Sequence, residues 1–265
     1  MTILPHLSGI RLRSRNSYLN RRYGLSLAPT SAACLLHAYL DPRFRAAQAR
    51  QIRHLKLPHP GATLLDIGCG SGSFVAFART LGWSARGIDI DPGAVDAGLS
   101  AGLPLQVRTI GEEAAANAGT FDAVTMEHVL EHVPDPLAFL RTAGRLLKPG
   151  GQLWIATPNV RSAAHLRFGR HWKHLDPPRH VVIFTPQIVD KLLRLAGFHT
   201  IRTRASASGT IATYAHSSMI ALGRSPVGAA PASRAAVIRG ALAGLRSLVQ
   251  PDVAEEIVRT AISTR

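Results

Sequence analysis

The chain has 265 residues, enough to bury a full hydrophobic core, and its apolar content of 46% is typical of a globular protein. Its two cysteines, Cys34 and Cys69, are too few and too far apart for a disulfide framework or a zinc site. Because the sequence lacks such a framework, we expect a reducing compartment and predict a cytoplasmic protein.

The chain is strongly basic, with 31 lysines and arginines against 16 acidic residues and a net charge of +15. This charge is compatible with nucleic acid, with a phosphate-bearing ligand or with an anionic membrane surface. The arginines are spread along the chain rather than clustered, which disfavours nucleic acid. No transmembrane segment is predicted; Ala205 to Gly223 comes nearest, but its serines, threonines and His216 argue against a span.

Short apolar segments alternate with helical patterns through the middle of the chain, which predicts a parallel sheet with helices on both faces. The predicted strands are Thr63–Ile67, Ala85–Ile88, Leu105–Val107, Phe121–Met126 and Gln152–Ala156. The predicted helices are Gly72–Leu81, Pro92–Ala101, Pro136–Leu147 and Pro186–Leu195. Gly150 and Gly151 are interpreted as the stop signal of the third helix.

Three segments lie outside this alternating pattern. Residues 1–60 are basic, with a helical pattern from Ala32 to Leu55, and are expected to cap one edge of the sheet. Residues 158–185 form a long link rich in His, Arg and Pro, and links of this length are usually functional or disordered. Residues 205–265 contain a serine-rich stretch, a helix and a final strand, Glu256–Ile262.

The helix in the last segment, Ser233–Val249, has one apolar face, made of Ile238, Leu242, Leu245 and Val249. We expect this face to pack on the domain, and contact with an anionic membrane is the alternative. The predicted organisation is a cap over residues 1–60, a core over residues 61–204 and a C-terminal part of the same domain over residues 205–265.

The segment LLDIGCGSGSFV, from Leu64 to Val75, is typical of a buried strand, a tight turn and the start of a helix. Glycines at 68, 70 and 72 allow the backbone to turn sharply and to approach a ligand. The N–H groups at the start of the following helix favour an anionic ligand. Asp89 ends the next strand, about twenty residues later, where a carboxylate can bind both hydroxyls of a ribose. The pattern predicts a nucleoside site.

Further motifs along the chain show a family resemblance. They are the D-x-G-x-G-x-G pattern from Asp66, FDAVTMEHVLEHVPDP from Phe121, LLKPGGQLWIATPN from Leu146, and AGF at residues 196–198. This set resembles the class I S-adenosylmethionine-dependent methyltransferases over residues 55–200. The resemblance implies an α/β, Rossmann-like, doubly wound and mostly parallel sheet of seven strands. An N-terminal helical cap and insertions after strands five and six complete this fold.

The same resemblance implies S-adenosylmethionine as the cofactor, lying over the carboxyl ends of the strands. Asp89 would bind its ribose, and Ile90 would lie on its adenine. The other expected cofactor-binding residues are Asp66, which would order the turn, Gly68, Cys69, Gly70, and the backbone near Met126 and Glu127.

His128, His132 and His180 are the candidate catalytic residues, because methylation of a hydroxyl group needs a nearby base. His128 and His132 would share a helical face, with Glu131 close by. A similar Glu-x-x-Glu-His pattern holds magnesium in the distantly related small-RNA 2′-O-methyltransferases, but His128 replaces the first glutamate here. Because a hard cation prefers oxygen ligands, no metal is expected.

The segment HWKHLDPPRH, ending at His180, is similar to one in methyltransferases of glycan or small-metabolite pathways. Arg179 could hold a carboxylate or phosphate of the acceptor, or it could pair internally with Asp176. The expected function is O-methylation of a small molecule, a cell-surface glycan or a secondary-metabolite intermediate. The alternatives are a 2′-O-methyltransferase acting on RNA and a non-catalytic binding protein on the same fold.

Overall fold

The sheet contains the seven strands that the resemblance implies. In this computed structural model, which describes residues 9–225 and 233–264, they are β1 (Thr63–Ile67), β2 (Ser84–Asp89), β3 (Leu105–Val107), β4 (Phe121–Glu127), β5 (Leu147–Pro158), β6 (Phe198–Thr203) and β7 (Glu256–Ser263). Their order is β3-β2-β1-β4-β5-β7-β6. Strand β7 is antiparallel to both its neighbours, and the other neighbouring pairs are parallel. The predicted mostly parallel α/β fold is confirmed.

The helices surround this sheet on both faces. They are α1 (Gly9–Tyr23), α2 (Ala32–Leu40), α3 (Pro42–Gln51), α4 (Ser73–Thr80), α5 (Pro92–Ser100), α6 (Ile110–Asn117), α7 (Pro136–Leu146), α8 (Ala163–Phe168), α9 (Pro186–Leu195), α10 (Thr210–Ala221) and α11 (Arg234–Val249). None of the described helices combines the length and the hydropathy that crossing a bilayer requires.

Strand β1 lies between two hydrophobic layers, because its alternate side chains point to opposite faces of the sheet. Leu65 belongs to the cluster that includes Leu140 of α7, on one face. Leu64 belongs to the cluster that includes Val75 of α4 and Leu19 of α1, on the other face. Helix α1 of the N-terminal segment therefore packs into the core beside α4.

The helical pattern predicted from Ala32 to Leu55 is divided between two helices. The chain forms α2 and α3, which are separated at Asp41. Pro42 lacks a backbone N–H and suits the first position of a new helix, which explains the break. Helices α1, α6, α8 and α10 were not predicted.

The interpretation of Gly150 and Gly151 as a helix stop is wrong. Helix α7 ends at Leu146, and β5 begins at the next residue. The pairing of β5 with β4 shifts register between the partners of Phe121 and Ala123, so both glycines lie in an irregular start of the strand. Gly150 has φ +73°, a left-handed conformation that glycine adopts easily.

The prediction that the apolar face of α11 packs on the domain is wrong. The side chains of Ile238, Leu242 and Val249 are 60%, 61% and 82% exposed. The buried residues of this helix are instead small, namely Ala236, Gly240, Gly244 and Ser247. Small side chains allow α11 to lie close against α10, since a Cβ on Gly240 would come within 2.7 Å of the Cα of Ile211.

The long link over residues 158–185 is ordered against the strand ends. The amide of Asn159 donates to the carbonyls of Asp252 and Ala254, at 2.9 and 2.8 Å. Trp172 is buried, and its indole N–H donates to the carboxylate of Glu255 at 3.2 Å. These bonds fix the link beside β7 and bring its histidines to the carboxyl end of β4.

Candidate active site

The glycine turn lies between β1 and α4, at the carboxyl edge of the parallel strands. Gly68 and Cys69 both donate their backbone N–H to the carbonyl of Ile88, at 2.9 and 3.1 Å. Gly70 donates its N–H to Oδ2 of Asp89 at 2.8 Å. These three bonds tie the turn to the end of β2 and place Gly70 directly against Asp89.

Gly68 allows the chain after β4 to pass close to the turn. Its φ is +68°, and a Cβ at this position would lie 2.4 Å from Cγ2 of Val129. A larger residue would clash with Val129 and would also be strained in a left-handed conformation. Glycine is therefore required here for the close approach of the two strand ends.

A cleft of about 290 Å³ opens beside this turn, and we call it the turn cleft. Residues of the turn cleft include Gly68, Asp89, Ile90, Arg108, His128 and His132. Each carboxylate oxygen of Asp89 accepts one backbone N–H, from Gly70 and from Asp91, and retains a further lone pair for a ligand hydroxyl. Ile90 is 75% exposed. The structure thus brings Gly68, Asp89 and Ile90 together, and their contact with a cofactor stays a prediction.

Three other predicted cofactor-binding residues have buried side chains: Asp66, Cys69 and Met126. Asp66 accepts a hydrogen bond from the hydroxyl of Thr125 at 2.9 Å and another from Arg53. Burial raises the pKa of Cys69 to about 12, so its thiol stays protonated. These surroundings fit a role for the side chains in ordering the turn.

Arg53 reaches the end of the sheet from the residues after α3. Arg53 and His54 both have left-handed backbones, with φ of 52° and 51°, which non-glycine residues rarely adopt. The guanidinium of Arg53 donates to Asp66, to the hydroxyl of Thr125 at 2.7 Å and to Glu127 at 2.9 Å. It also lies 3.6 Å from the ring centroid of Phe74. This sharp turn of the chain positions one cation over the ends of β1 and β4.

A second cleft, of about 350 Å³, lies on the other side of the end of β4, and we call it the arginine cleft. Its residues include Arg50, Arg53, Phe74, Glu127 and Ser208. Arg50 donates to Glu127 at 2.6 Å and to Glu256 at 3.0 Å. Burial would raise the pKa of Glu127, but the charges of Arg50 and Arg53 outweigh burial and lower that pKa. Glu127 is therefore an ionised group held between two arginines.

His128 follows Glu127 and lies between two carboxylates. Its Nδ1 is 3.0 Å from Glu131, and its Nε2 is 3.1 Å from Glu256. Burial would lower the pKa of His128, but the hydrogen bonds and charges of Glu131 and Glu256 raise it to about 10. An imidazolium that donates from both nitrogens has no lone pair for a proton. Of the three candidate histidines, His128 is therefore the least suited to act as a base.

His174 of the link stacks on His128, with ring centroids 5.9 Å apart and planes 2° apart. Burial and the charge of His128 lower the pKa of His174 to about 4, so this ring is neutral at neutral pH. Its Nε2 lies 3.1 Å from the hydroxyl of Thr213 on α10. The neutral ring of His174 therefore connects the link both to the charged ring of His128, after β4, and to Thr213 on α10.

His132 and His180 form a second pair of rings, with centroids 4.8 Å apart. Nδ1 of His132 lies 2.8 Å from the carbonyl of Arg179, and Nδ1 of His180 lies 2.7 Å from the carbonyl of His174. A carbonyl can only accept, so both Nδ1 atoms carry a proton, and Nε2 is the ring nitrogen left to accept one. His132 lines the turn cleft, whereas the side chain of His180 is only 7% exposed.

Two groups of side chains among the described residues could hold a metal ion: Glu131, His132 and His180, and Glu127, His128 and Glu256. Both carboxylate oxygens of Glu131 already accept hydrogen bonds, one from His128 and one from Thr157. Each group mixes imidazole nitrogen with carboxylate oxygen, whereas magnesium prefers oxygen ligands. This donor set does not favour magnesium, and methyl transfer without a metal stays a prediction.

Sequence reasoning missed four residues of this region, Arg50, Arg53, His174 and Glu256. Glu256 is 206 residues from Arg50 along the chain, and no local pattern links the two. His174 lies within the segment HWKHLDPPRH, where its spacing alone does not distinguish it from His171. The place of Glu256 near the end of β4 follows from the topology, because β5 and β7 continue the sheet on that side of β4.

The parallel strands, the glycine turn and the acid at the end of β2 are features of nucleoside-binding α/β proteins. A family model described as a methyltransferase domain matches residues 39–203, more than half of the chain. The chain belongs to this methyltransferase family, and the resemblance found in its sequence motifs is confirmed.

A curated relative is the ubiquinone biosynthesis O-methyltransferase of Xanthomonas oryzae pv. oryzae strain PXO99A. It is 39% identical over 135 residues, which cover 49% of this chain and 54% of the relative. The chain therefore spans about half the length of the curated relatives that it matches.

Solved structures of methyltransferases share the fold at low sequence identity. An S-adenosylmethionine-dependent methyltransferase from Archaeoglobus fulgidus has a TM-score of 0.55 at 16% identity, covering 88% of this chain and 100% of that one. Phosphoethanolamine N-methyltransferase 2 of Haemonchus contortus, in complex with S-adenosyl-L-methionine, has a TM-score of 0.57 at 14% identity. The match covers 98% of this chain and 61% of the nematode chain. Likeness at this level shows the common fold.

Proposed function

We propose that the chain transfers the methyl group of S-adenosylmethionine to a hydroxyl oxygen of a small-molecule acceptor. The observation that carries this proposal is the direct bond between Gly70 and Asp89 at the rim of the turn cleft. This bond places the glycine backbone next to a carboxylate that still has free lone pairs. The carboxylate could accept hydrogen bonds from the ribose hydroxyls, and the glycine would leave room for the rest of the nucleoside. The relatives named as O-methyltransferases support oxygen as the methylated atom.

The residues present fit the cofactor at both of its ends. Asp89 would accept from the ribose hydroxyls, Ile90 would cover the adenine, and the backbone near Glu127 would face the methionine portion. Nε of Arg53 is buried without a hydrogen-bond partner among the described residues, at the wall of the arginine cleft. A carboxylate is the ligand that such a guanidinium favours, so Arg53 suits the amino-acid end of the cofactor.

His132 is the group that we assign as the base. The sulfonium supplies an activated methyl group, so the protein has to align the acceptor oxygen and remove its proton. Nδ1–H of His132 is held by the carbonyl of Arg179, which leaves Nε2 free to accept that proton beside the turn cleft. His180 packs edge-on against His132 and would hold its orientation. His128, already protonated, would position Glu131 and Glu256.

The proposed acceptor class is a small molecule, with a glycan or secondary-metabolite intermediate as a narrower possibility. Nucleic acid is disfavoured, because Arg50 and Arg53 already pair with Glu127, Glu256 and Asp66, and only Nε of Arg53 is left to bind a further anion. Arg179, 73% exposed and paired with Asp176, is the cation best placed to meet an acidic acceptor. The two free cysteines support the proposed reducing, cytoplasmic location.

Calorimetric titration tests the cofactor assignment directly. S-adenosylmethionine, S-adenosylhomocysteine and NAD are each titrated into the protein, with and without magnesium. We expect the two sulfur nucleosides to bind and NAD to give no heat, with no effect of magnesium. If neither sulfur nucleoside binds at millimolar concentration, the proposal fails. Release of S-adenosylhomocysteine in the presence of small hydroxylated compounds, glycan precursors or RNA then identifies the acceptor class.

A further inference from the structure

Helix α11 presents its large apolar side chains to solvent. Ile238, Leu242, Leu245 and Val249 recur at intervals of three and four residues, so they form one stripe along the helix, which we call the α11 stripe. Their exposed fractions are 60%, 61%, 41% and 82%. Scattered exposed apolar residues are ordinary, but a continuous row of four on one helix face marks an interaction surface.

The opposite face of α11 is already fixed against the protein. Gly240 lies so close to α10 that a Cβ there would be 2.7 Å from the Cα of Ile211 and 3.3 Å from the carbonyl oxygen of Thr210. One turn further along, a Cβ on Gly244 would lie 3.5 Å from the Cβ of Ala207 and 3.7 Å from the Cβ of Thr210. Because the small residues make a close helix contact, α11 cannot roll to bury its stripe without losing that contact.

The surroundings of the stripe are cationic. Arg234, Arg239 and Arg246 are exposed on the same helix, and α11 has no acidic residue. The sequence contains no acidic residue at all from Lys191 to Pro251. The basic residues of that interval are Lys191, Arg194, Arg202, Arg204, Arg224, Arg234, Arg239 and Arg246. An apolar row bordered by arginines, on a helix that has no carboxylate of its own, complements a membrane whose lipid headgroups are negative and whose interior is apolar.

We propose that the α11 stripe docks on an anionic lipid membrane, with the helix lying in the plane of the interface. The apolar side chains would enter the boundary between headgroups and acyl chains, and the arginines would meet the lipid phosphates. A second copy of the chain is the less suitable occupant, because two α11 helices would bring their arginines together with no acidic residue on either helix to pair them. The interface depends on residues outside both clefts.

Co-sedimentation with lipid vesicles tests this proposal. One set of vesicles contains phosphatidylcholine alone, and the other contains phosphatidylcholine and phosphatidylglycerol in equal amounts. We expect the protein to sediment with the anionic vesicles, to sediment far less with the neutral ones, and to be released as salt is raised. The assay needs no methyl acceptor, so its result is independent of the reaction that the enzyme catalyses.

Matched variants separate the stripe from general hydrophobicity. Leu242→Glu should weaken vesicle binding at least about tenfold, since it removes a leucine that would enter the membrane and adds a negative charge that the anionic lipids repel. Arg239→Gln should weaken it about fivefold, the effect of one cation near an anionic surface. The control is Leu99→Glu on α5, a leucine that is 48% exposed and lies outside this surface, and it should bind as the parent does. Far-ultraviolet circular dichroism checks that each variant is folded.

Three results would overturn the proposal. The first is equal binding to neutral and anionic vesicles, and the second is a Leu242→Glu variant that binds as tightly as the parent. The third is a dimer in analytical ultracentrifugation that Leu242→Glu dissociates, with no vesicle binding by the parent. That third result would assign the α11 stripe to a second copy of this chain.

Discussion

The turn cleft and the arginine cleft lie on two sides of one strand end, yet they are built in different ways. In the turn cleft, Gly70 binds Asp89 only 19 residues away, through a backbone N–H. In the arginine cleft, Arg50 binds Glu127 and Glu256, which are 77 and 206 residues away, through side-chain charges. The first cleft is organised by local backbone geometry, and the second is assembled by long-range ion pairs.

This difference has an energetic consequence. At the turn, the hydrogen-bond donors are backbone N–H groups, which carry no net charge and do not titrate. The second region is held by buried ion pairs, and their desolvation makes each partner dependent on the other. The turn cleft should therefore tolerate changes elsewhere, whereas the region around the arginine cleft should respond strongly to loss of a single charge.

Glu256→Ala should have the largest effect on stability. It leaves Arg50 buried without its main partner and removes one of the two carboxylates around His128. Loss of one partner of a buried pair costs about 3–5 kcal/mol of unfolding free energy. Urea denaturation followed by circular dichroism measures this loss.

Asp252→Ala is the matched control for that variant. Asp252 lies just before β7 and is 63% exposed, at 3.8 Å from Arg259, so its removal should cost less than about 0.5 kcal/mol. Similar losses in the two variants would contradict the view that the buried charges organise this region.

His132→Ala should reduce turnover about 100-fold, the usual contribution of a general base, and leave the affinity for S-adenosylmethionine unchanged. The physical reason is the free Nε2 beside the turn cleft, which no other described side chain replaces. Measuring kcat by release of S-adenosylhomocysteine, and affinity by calorimetry, separates the two effects. His199→Ala, an exposed histidine on β6, serves as the control. Undiminished turnover in His132→Ala would exclude it as the base.

Asp89→Ala should weaken binding of S-adenosylmethionine about thirtyfold, because charge-assisted hydrogen bonds to the ribose are lost. Asp91→Ala is a sharp control, since Asp91 is two residues away and only caps α5 through the N–H groups of Gly93 and Ala94. That variant should lose about 1 kcal/mol of stability and keep its affinity. Equal affinity of Asp89→Ala and the parent would overturn the ribose assignment.

The stability of the fold should depend on pH through His128. Its pKa is about 10 in the folded chain against 6.5 in a free histidine, so the folded state binds the proton more tightly. The resulting stabilisation is complete below pH 6.5 and is lost as pH rises through 10. We expect a fall of about 1–2 kcal/mol over this window, reduced by solvent at the partly exposed ring. In His128→Gln, urea denaturation should show a flatter profile; an unchanged profile would argue against the ion pairs.

The sequence allowed prediction of features that depend on local patterns. Strand β3 and helix α9 have the predicted bounds, and the bond between Gly70 and Asp89 agrees with the motif that linked them. Helix α6 carried a readable signal, the capping box between Thr109 and Glu112, which sequence analysis overlooked. Helix α10 offered no such signal. Its serines and threonines favour helices only weakly, so this helix depends on tertiary packing rather than on a local sequence pattern.

Local sequence patterns could not predict which residues pair over long distances, or which face of a helix is buried. The periodicity of α11 was right, but the row of small residues opposite the α11 stripe has the same spacing, and only α10 decides which row is buried. Likewise, nothing near Arg50 indicates that β7 will bring Glu256 to it. Residues of the arginine cleft were missed because their partners are set by topology.

The smallest expected effect on stability is that of Arg179→Ala, and it distinguishes a structural role from an acceptor-binding one. The Arg179 side chain is 73% exposed and pairs with Asp176, an arrangement worth less than about 0.5 kcal/mol. If Arg179 instead holds an anionic group of the acceptor, the variant should raise KM for that acceptor about tenfold and leave kcat nearly unchanged. Arg194→Ala on α9, also within a basic segment, should change neither quantity. An unchanged KM together with unchanged stability would show that Arg179 forms only a surface ion pair. The histidines of the link would then be the residues expected to recognise the acceptor.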